Sequence, residues 1–204
     1  MKLYTNPASP FARKARIIVQ ELNLTKVVEE VDVARQDLGD GFRHINPLGK
    51  IPVLALKDGS TIFDSPVICE YLNDLGGGKF FPGRSLLREN SGHWRALTLQ
   101  ALGDGICDAA VARNYELLRP KEQQSEVAIR KYLQAVTVSL DVLEQVKLGK
   151  KTTIGEIAVA CAIGYLDFRI PELSWREARP NLRDWYEKFA QYPSMKATWP
   201  EALA

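Results

Sequence analysis

The stretch NPASPFARKAR, residues 6–16, decides the fold, because it follows the strand-like run MKLY and puts Ser9 and Pro10 where a helix should begin. Serine suits an N-cap, where its oxygen accepts from the first turn, and proline suits the next position, whose N–H has no helical partner. Phe11, Ala15, Ile18, Val19 and Leu22 then share one helical face. Working outward, VVEEVDV at 27–33 reads as a strand, and IPVLAL and TIF flank KDGS, whose Asp58-Gly59 is a hairpin signal. The stretch TIFDSPVICEYL at 61–72 repeats the opening arrangement, with Ser65 and Pro66 read as cap and first position. Val67, Ile68, Tyr71, Leu72 and Leu75 line the face of the helix that follows. The order is βαβ, an irregular stretch, then ββα.

Gly76-Gly77-Gly78 and Pro82-Gly83 interrupt this grammar, and no strand signal follows them. Ile129, Tyr132, Leu133, Val136, Leu140 and Leu143 keep to one helical face, as do Leu182, Trp185, Tyr186 and Phe189. Thr153 and Glu156 form a capping box ahead of IAVACAIGYL, residues 157–166, a helix apolar nearly all round and so expected at the centre of a bundle. The expected fold class is α/β plus all-α, with a thioredoxin-like βαβ-ββα domain over 1–78 and a helical bundle over 84–204.

Bulk properties exclude more than they identify. The 204 residues carry 27 Lys+Arg against 25 Asp+Glu, a net charge of +2, and leave no basic footprint for nucleic acid. IAVACAIGYL is about half the ~20 residues a membrane span needs. The N-terminus lacks a signal-peptide pattern, so the expected location is cytoplasmic. Cys69, Cys107 and Cys161 show neither C-x-x-C nor metal-ligand spacing and read as reduced, packed thiols; no metal is expected. His44 and His93 stand alone and read as surface or packing residues.

Either Ser-Pro pair is explained by capping alone. Their positions add something: a helix start after the first strand of a βαβ unit gathers free N–H groups where ligands of α/β sheets bind. Two such starts, with Asp64 ahead of the second, suit a ligand carrying a thiolate, a carboxylate and an ammonium. Between them Pro52 interrupts a strand-like run. A cis Ile51–Pro52 bond is the natural way to make such a bend and leaves the Ile51 backbone free to pair with an extended peptide; the plainer alternative is a proline at strand entry.

At these residues the sequence resembles bacterial cytosolic glutathione S-transferases. SPFA at 9–12 occupies the place of the C-P-x-C motif of thioredoxin-like folds, and NPLGKIPVL at 46–54 with DSP at 64–66 looks like that family's glutathione site. The resemblance implies that Ser9 contacts the glutathione sulfur as the catalytic group and Ile51 pairs with the cysteinyl backbone. It further implies that Asp64 and Ser65 hold the γ-glutamyl ammonium and carboxylate, and that Lys50 reaches the glycyl carboxylate; Pro52, Thr153 and Glu156 are structural. It implies glutathione as co-substrate, a small electrophile as partner against the helical half, with Gly103 to Arg113 and Tyr115 as candidate lining, and a homodimer. The stretch ALGDGICDAA at 101–110 offers a packing face for a dimer or for the chain's own core. Serine cannot form a mixed disulfide and Ala12 cannot resolve one, so a transferase holding a thiolate is expected. A glutathione-dependent reductase or peroxidase using no protein cysteine, or a non-catalytic interaction module, are the alternatives. Tyr4, inside the first strand signal, is the alternative hydroxyl to Ser9.

Overall fold

The computed structural model describes residues 1–83, 92–149 and 151–200. The chain forms two compact units, Met1–Arg84 with Pro193–Ala204, and Ser85–Tyr192. Residue 84, where the sequence places the start of the helical domain, lies outside the described residues.

In the first unit, β1 (Lys2–Thr5), α1 (Pro10–Glu21) and β2 (Glu29–Asp32) make the βαβ half, while β3 (Val53–Ala55), β4 (Thr61–Ile62) and α2 (Ser65–Leu75) make the ββα half. The four strands form one sheet in the order β2-β1-β3-β4. β1 and β2 are parallel; β3 is antiparallel to both β1 and β4. This is the thioredoxin-like arrangement expected from the sequence. The hairpin turns at Asp58-Gly59, where the Asp58 carboxylate accepts from the Ser60 amide at 2.9 Å and the Ser60 hydroxyl at 2.7 Å.

One feature departs from the sequence reading. Ser65 is not the cap of α2: Asp64 is the N-cap, Ser65 the first helical residue and Pro66 the second. Proline is tolerated anywhere in a first turn, since none of those N–H groups has a helical partner, so Ser-Pro alone does not fix the register. In α1, Arg13 and Lys14 are as buried as the apolar face, each 1% exposed. Arg13 is covered by the far end of the sequence. A short helix α7 (Pro193–Ala197) belongs to this unit, where the Arg13 guanidinium donates to the Met195 carbonyl at 2.9 Å and lies 5.3 Å from the Trp199 ring centroid. The Ser194 hydroxyl donates to Glu21 at 2.8 Å.

The second unit contains α3 (Gly92–Leu117), α4 (Glu126–Gln145), α5 (Ile154–Arg169) and α6 (Pro180–Phe189). α5 is buried from Ile154 through Leu166, which makes it the central helix. It packs on α3 with little space between backbones: a Cβ on Gly103 would come within 2.7 Å of the Ala158 carbonyl carbon, and one on Gly155 within 2.7 Å of the Ala96 oxygen. Among the described residues no helix is long and apolar enough to cross a membrane.

Candidate functional site

The strand directions bring three segments to one end of the sheet. β1 ends at Thr5 and runs into Asn6–Ser9; β3, antiparallel and paired through Tyr4 with Val53, begins at that same end, directly after Ile51–Pro52. β4, antiparallel to β3, ends there again and leads into Asp64–Ser65. The segments carrying Ser9, Ile51 and Asp64–Ser65 therefore adjoin neighbouring strand ends, which are about 5 Å apart per step across the sheet.

Ser9 is the N-cap of α1, its oxygen accepting from the Ala12 amide at 3.2 Å. A hydroxyl accepts through its lone pairs and still has one proton to donate, so capping and holding an anion are compatible duties. Pro10 lacks an N–H, and the first helical bond runs from the Arg13 amide to the Ser9 carbonyl at 3.0 Å. The Phe11 N–H is thus left without a helical acceptor beside the hydroxyl. A positive helix end and an O–H donor converge there.

Ile51–Pro52 is cis, as is Phe63–Asp64. Ile51 precedes the ladder, which starts at Val53, and its side chain packs with Tyr4 and Phe63 on the cluster of Val33, Phe42 and Val53. The Tyr4 ring meets Phe42 edge-on at 5.7 Å between centroids, which gives Tyr4 a packing role. Lys50 is exposed and Ser65 buried. Asp64 is exposed, and its carboxylate makes no capping bond although it occupies the cap position.

Two residues that sequence reasoning missed shape this end of the sheet. Asn6 accepts from the Ala8 amide at 2.9 Å and donates to the Val33 carbonyl at 2.9 Å. Asn46 accepts from the Leu48 amide at 3.0 Å and donates to the Lys50 carbonyl at 2.7 Å. Both are buried. The available signal was the Asn-Pro dipeptide at 6–7 and again at 46–47, a turn-initiating pair. Gly49 completes the second loop with φ +63°, and a Cβ there would sit 2.9 Å from the Gly39 Cα.

Residues 8–75 match the model of the glutathione S-transferase N-terminal domain, and residues 126–188 that of the C-terminal domain. The chain is 35% identical to the uncharacterized GST-like protein YibF of Escherichia coli over 98% of each chain. The chain belongs to the glutathione S-transferase family. A glutathione transferase family member from Pseudomonas fluorescens Pf-5, crystallised with bound glutathione, is 38% identical with a TM-score of 0.87, over 98% of this chain and 99% of that one. A second structure from that organism, with bound S-(propanoic acid)-glutathione, is 39% identical with a TM-score of 0.84, over 99% of this chain and 100% of that one.

The transferase fold's helical unit holds the remaining candidates. In α3, Gly103, Ile106, Cys107, Ala109 and Ala110 are buried, so one face of the ALGDGICDAA stretch is internal core, whereas Tyr115 is exposed. Arg113 pairs with Glu172 at 2.9 Å. Burial pushes the Tyr165 phenol up to about 12 against the pull of Arg169. Thr153 and Glu156 form the expected capping box at the start of α5. The box continues into a network, because Glu156 also accepts from Arg95 at 2.9 Å and from the Gly149 amide at 3.2 Å. His44 is exposed, and His93 is buried with its ring against Trp94. All three cysteines are buried thiols. Among the described residues no three His, Cys, Asp or Glu side chains are grouped as metal ligands.

Proposed function

We propose that the protein is a glutathione transferase that holds the glutathione sulfur as a thiolate at Ser9 and the α1 N-terminus for attack on a small electrophile. The observation that carries this reading is the convergence of Ser9, Ile51 and Asp64–Ser65 on neighbouring strand ends. Two strand spacings separate β1 from β4, about 10 Å, and an extended tripeptide spans a similar length. The sulfur then lies at Ser9, the cysteinyl backbone at Ile51, and the γ-glutamyl ammonium and carboxylate at Asp64 and Ser65. Lys50 offers a cation for the glycyl carboxylate.

In the reaction the thiol proton leaves to solvent and the sulfur lone pair forms a bond to the electrophilic carbon. A leaving group departs with the electrons of its own bond, or in a conjugate addition the adjacent carbon takes up a proton. A free thiol of pKa ~8.5 is only about 3% ionised at pH 7. Lowering its pKa by ~2 units makes thiolate the majority form, which corresponds to roughly 2.7 kcal/mol of preferential stabilisation. The transferase reading is favoured over a disulfide reductase by the Pseudomonas fluorescens structure with S-(propanoic acid)-glutathione. That ligand is a thioether whose sulfur already carries the carbon of an acceptor.

Retention on immobilised glutathione, followed by assays with aryl halides, hydroperoxides and small disulfides, tests the proposal. Thioether formation is the expected result. Retention without turnover would leave a binding module, and turnover confined to disulfides or peroxides would make the protein a reductase or peroxidase.

Asp64→Asn is expected to raise the KM for glutathione roughly tenfold, the equivalent of about 1.4 kcal/mol, with kcat nearly kept. The ammonium it holds is remote from the sulfur, so ground and transition states lose the contact alike. Steady-state kinetics at saturating electrophile measure this, and a collapse of kcat would contradict the assigned role.

A further inference from the structure

The two buried asparagines are the same device used twice. In each, the side-chain oxygen accepts from the amide two residues on, across an intervening proline, and the side-chain nitrogen donates to a carbonyl elsewhere in the chain. The first reaches β2's extension at Val33, the second the Lys50 carbonyl that immediately precedes Ile51. Each uses one of its two oxygen lone pairs and one of its two side-chain N–H groups, and these two anchors on different parts of the backbone hold it in one orientation.

The two serve different segments. The Asn6 carbonyl also accepts from the Ser9 amide at 2.9 Å, so the residue fixes both ends of the turn that presents the Ser9 hydroxyl. The Asn46 carbonyl accepts from the Gly49 amide at 2.8 Å, and its side chain closes the loop onto Lys50. We infer that Asn6 and Asn46 are paired positioning residues with separable effects: Asn6 sets the placement of the thiolate donor, and Asn46 sets the placement of the Ile51 backbone that receives the tripeptide. This rests on the proposed transferase reading.

Separability gives a test that general loosening of the fold would not pass. Asn→Ala at each position removes both arms. Asn→Asp keeps the oxygen for the Ala8 or Leu48 amide, loses the N–H for the Val33 or Lys50 carbonyl, and supplies a nearly isosteric variant should the alanine form fail to fold. Glutathione binding is measured by calorimetry, the bound thiol by ultraviolet titration, and KM and kcat with whichever electrophile the wild type accepts.

The Asn6 variants are expected to raise the bound thiol's pKa by about one unit, a tenfold loss of thiolate relative to thiol, with glutathione affinity at pH 7 falling only by the roughly threefold that this change in ionisation entails. The Asn46 variants are expected to weaken glutathione binding and raise its KM by the order of tenfold, as for a displaced binding group, with the bound thiol's pKa unmoved. Both pairs shifting the same parameter by about tenfold, or neither shifting any while the wild type binds glutathione, would overturn the assignment and leave the transferase reading standing. A wild type that binds no glutathione would overturn both.

Discussion

Replacing Ser9 by alanine is expected to return the bound glutathione thiol toward its free pKa and to lower the rate at neutral pH by the order of 10²-fold, the usual effect of losing a preorganised anion donor. The α1 N-terminus and its Phe11 amide remain, so activity should fall without vanishing. The substitution also deletes the cap bond to Ala12, costing about 1 kcal/mol of stability without loss of the fold. Ultraviolet titration of the bound thiol and the pH profile of kcat/KM read the effect directly. The acid limb of that profile should move upward with the thiol, so part of the lost rate returns at alkaline pH. An unchanged pKa would transfer the role to Tyr4 or to the backbone donors alone.

Removing Glu156 should damage stability more than any other single side-chain change considered. Its buried carboxylate, 1% exposed, receives Arg95, two backbone amides and the Thr153 hydroxyl. Glu156→Ala strands those donors at the start of the central helix. Breaking a buried pair typically costs 3–5 kcal/mol; Arg95 is half-exposed and regains water, so about 3 kcal/mol is expected, a fall in melting temperature of roughly 6–12 °C.

The same network makes a pH prediction. Burial works to raise the Glu156 pKa, but hydrogen bonds from the Thr153 hydroxyl, Arg95 and the Gly149 and Thr153 amides outweigh it and hold the carboxyl below its ordinary 4.5. A carboxyl with a lowered folded pKa contributes stability that is complete above the unfolded value and fades as pH falls through the folded one. The stability gap between wild type and Glu156→Gln should therefore be constant above about pH 5 and narrow on acidification below pH 4.5. Chemical denaturation at several pH values measures it, and a gap unchanged in acid would remove the carboxylate's ionisation from the account.

How far the sequence could be read depended on the range of the cause. Local causes were legible: the apolar face of α1 with its Ser-Pro start, the Asp58-Gly59 hairpin and the Thr153–Glu156 box each depend on residues a few positions apart. The three segments at the sheet end were identifiable one by one from Ser9, Pro52 and Asp64-Ser65. Their convergence follows from strand direction, which the hairpin signal supplied only for β3 and β4. The α2 start slipped by one residue because proline fits either of its first two positions. Asn6 and Asn46 were passed over because each reaches a backbone carbonyl, and a carbonyl carries no sequence signature. The burial of Arg13 had no local signal, since nothing nearby announces that Met195 and Trp199 meet that side of α1.

That last arrangement bears on how the protein is made. The first unit draws on both ends of the sequence, with Ser85–Tyr192 intervening. A ribosome would need on the order of ten seconds to add that intervening segment. Throughout that interval Arg13 would lack the Met195 carbonyl and the Trp199 ring, and α1 would wait with one flank uncovered. The first unit is thus begun first and closed last. A nascent chain stopped before residue 193 should present α1 to chaperones and proteases in a way the finished chain does not.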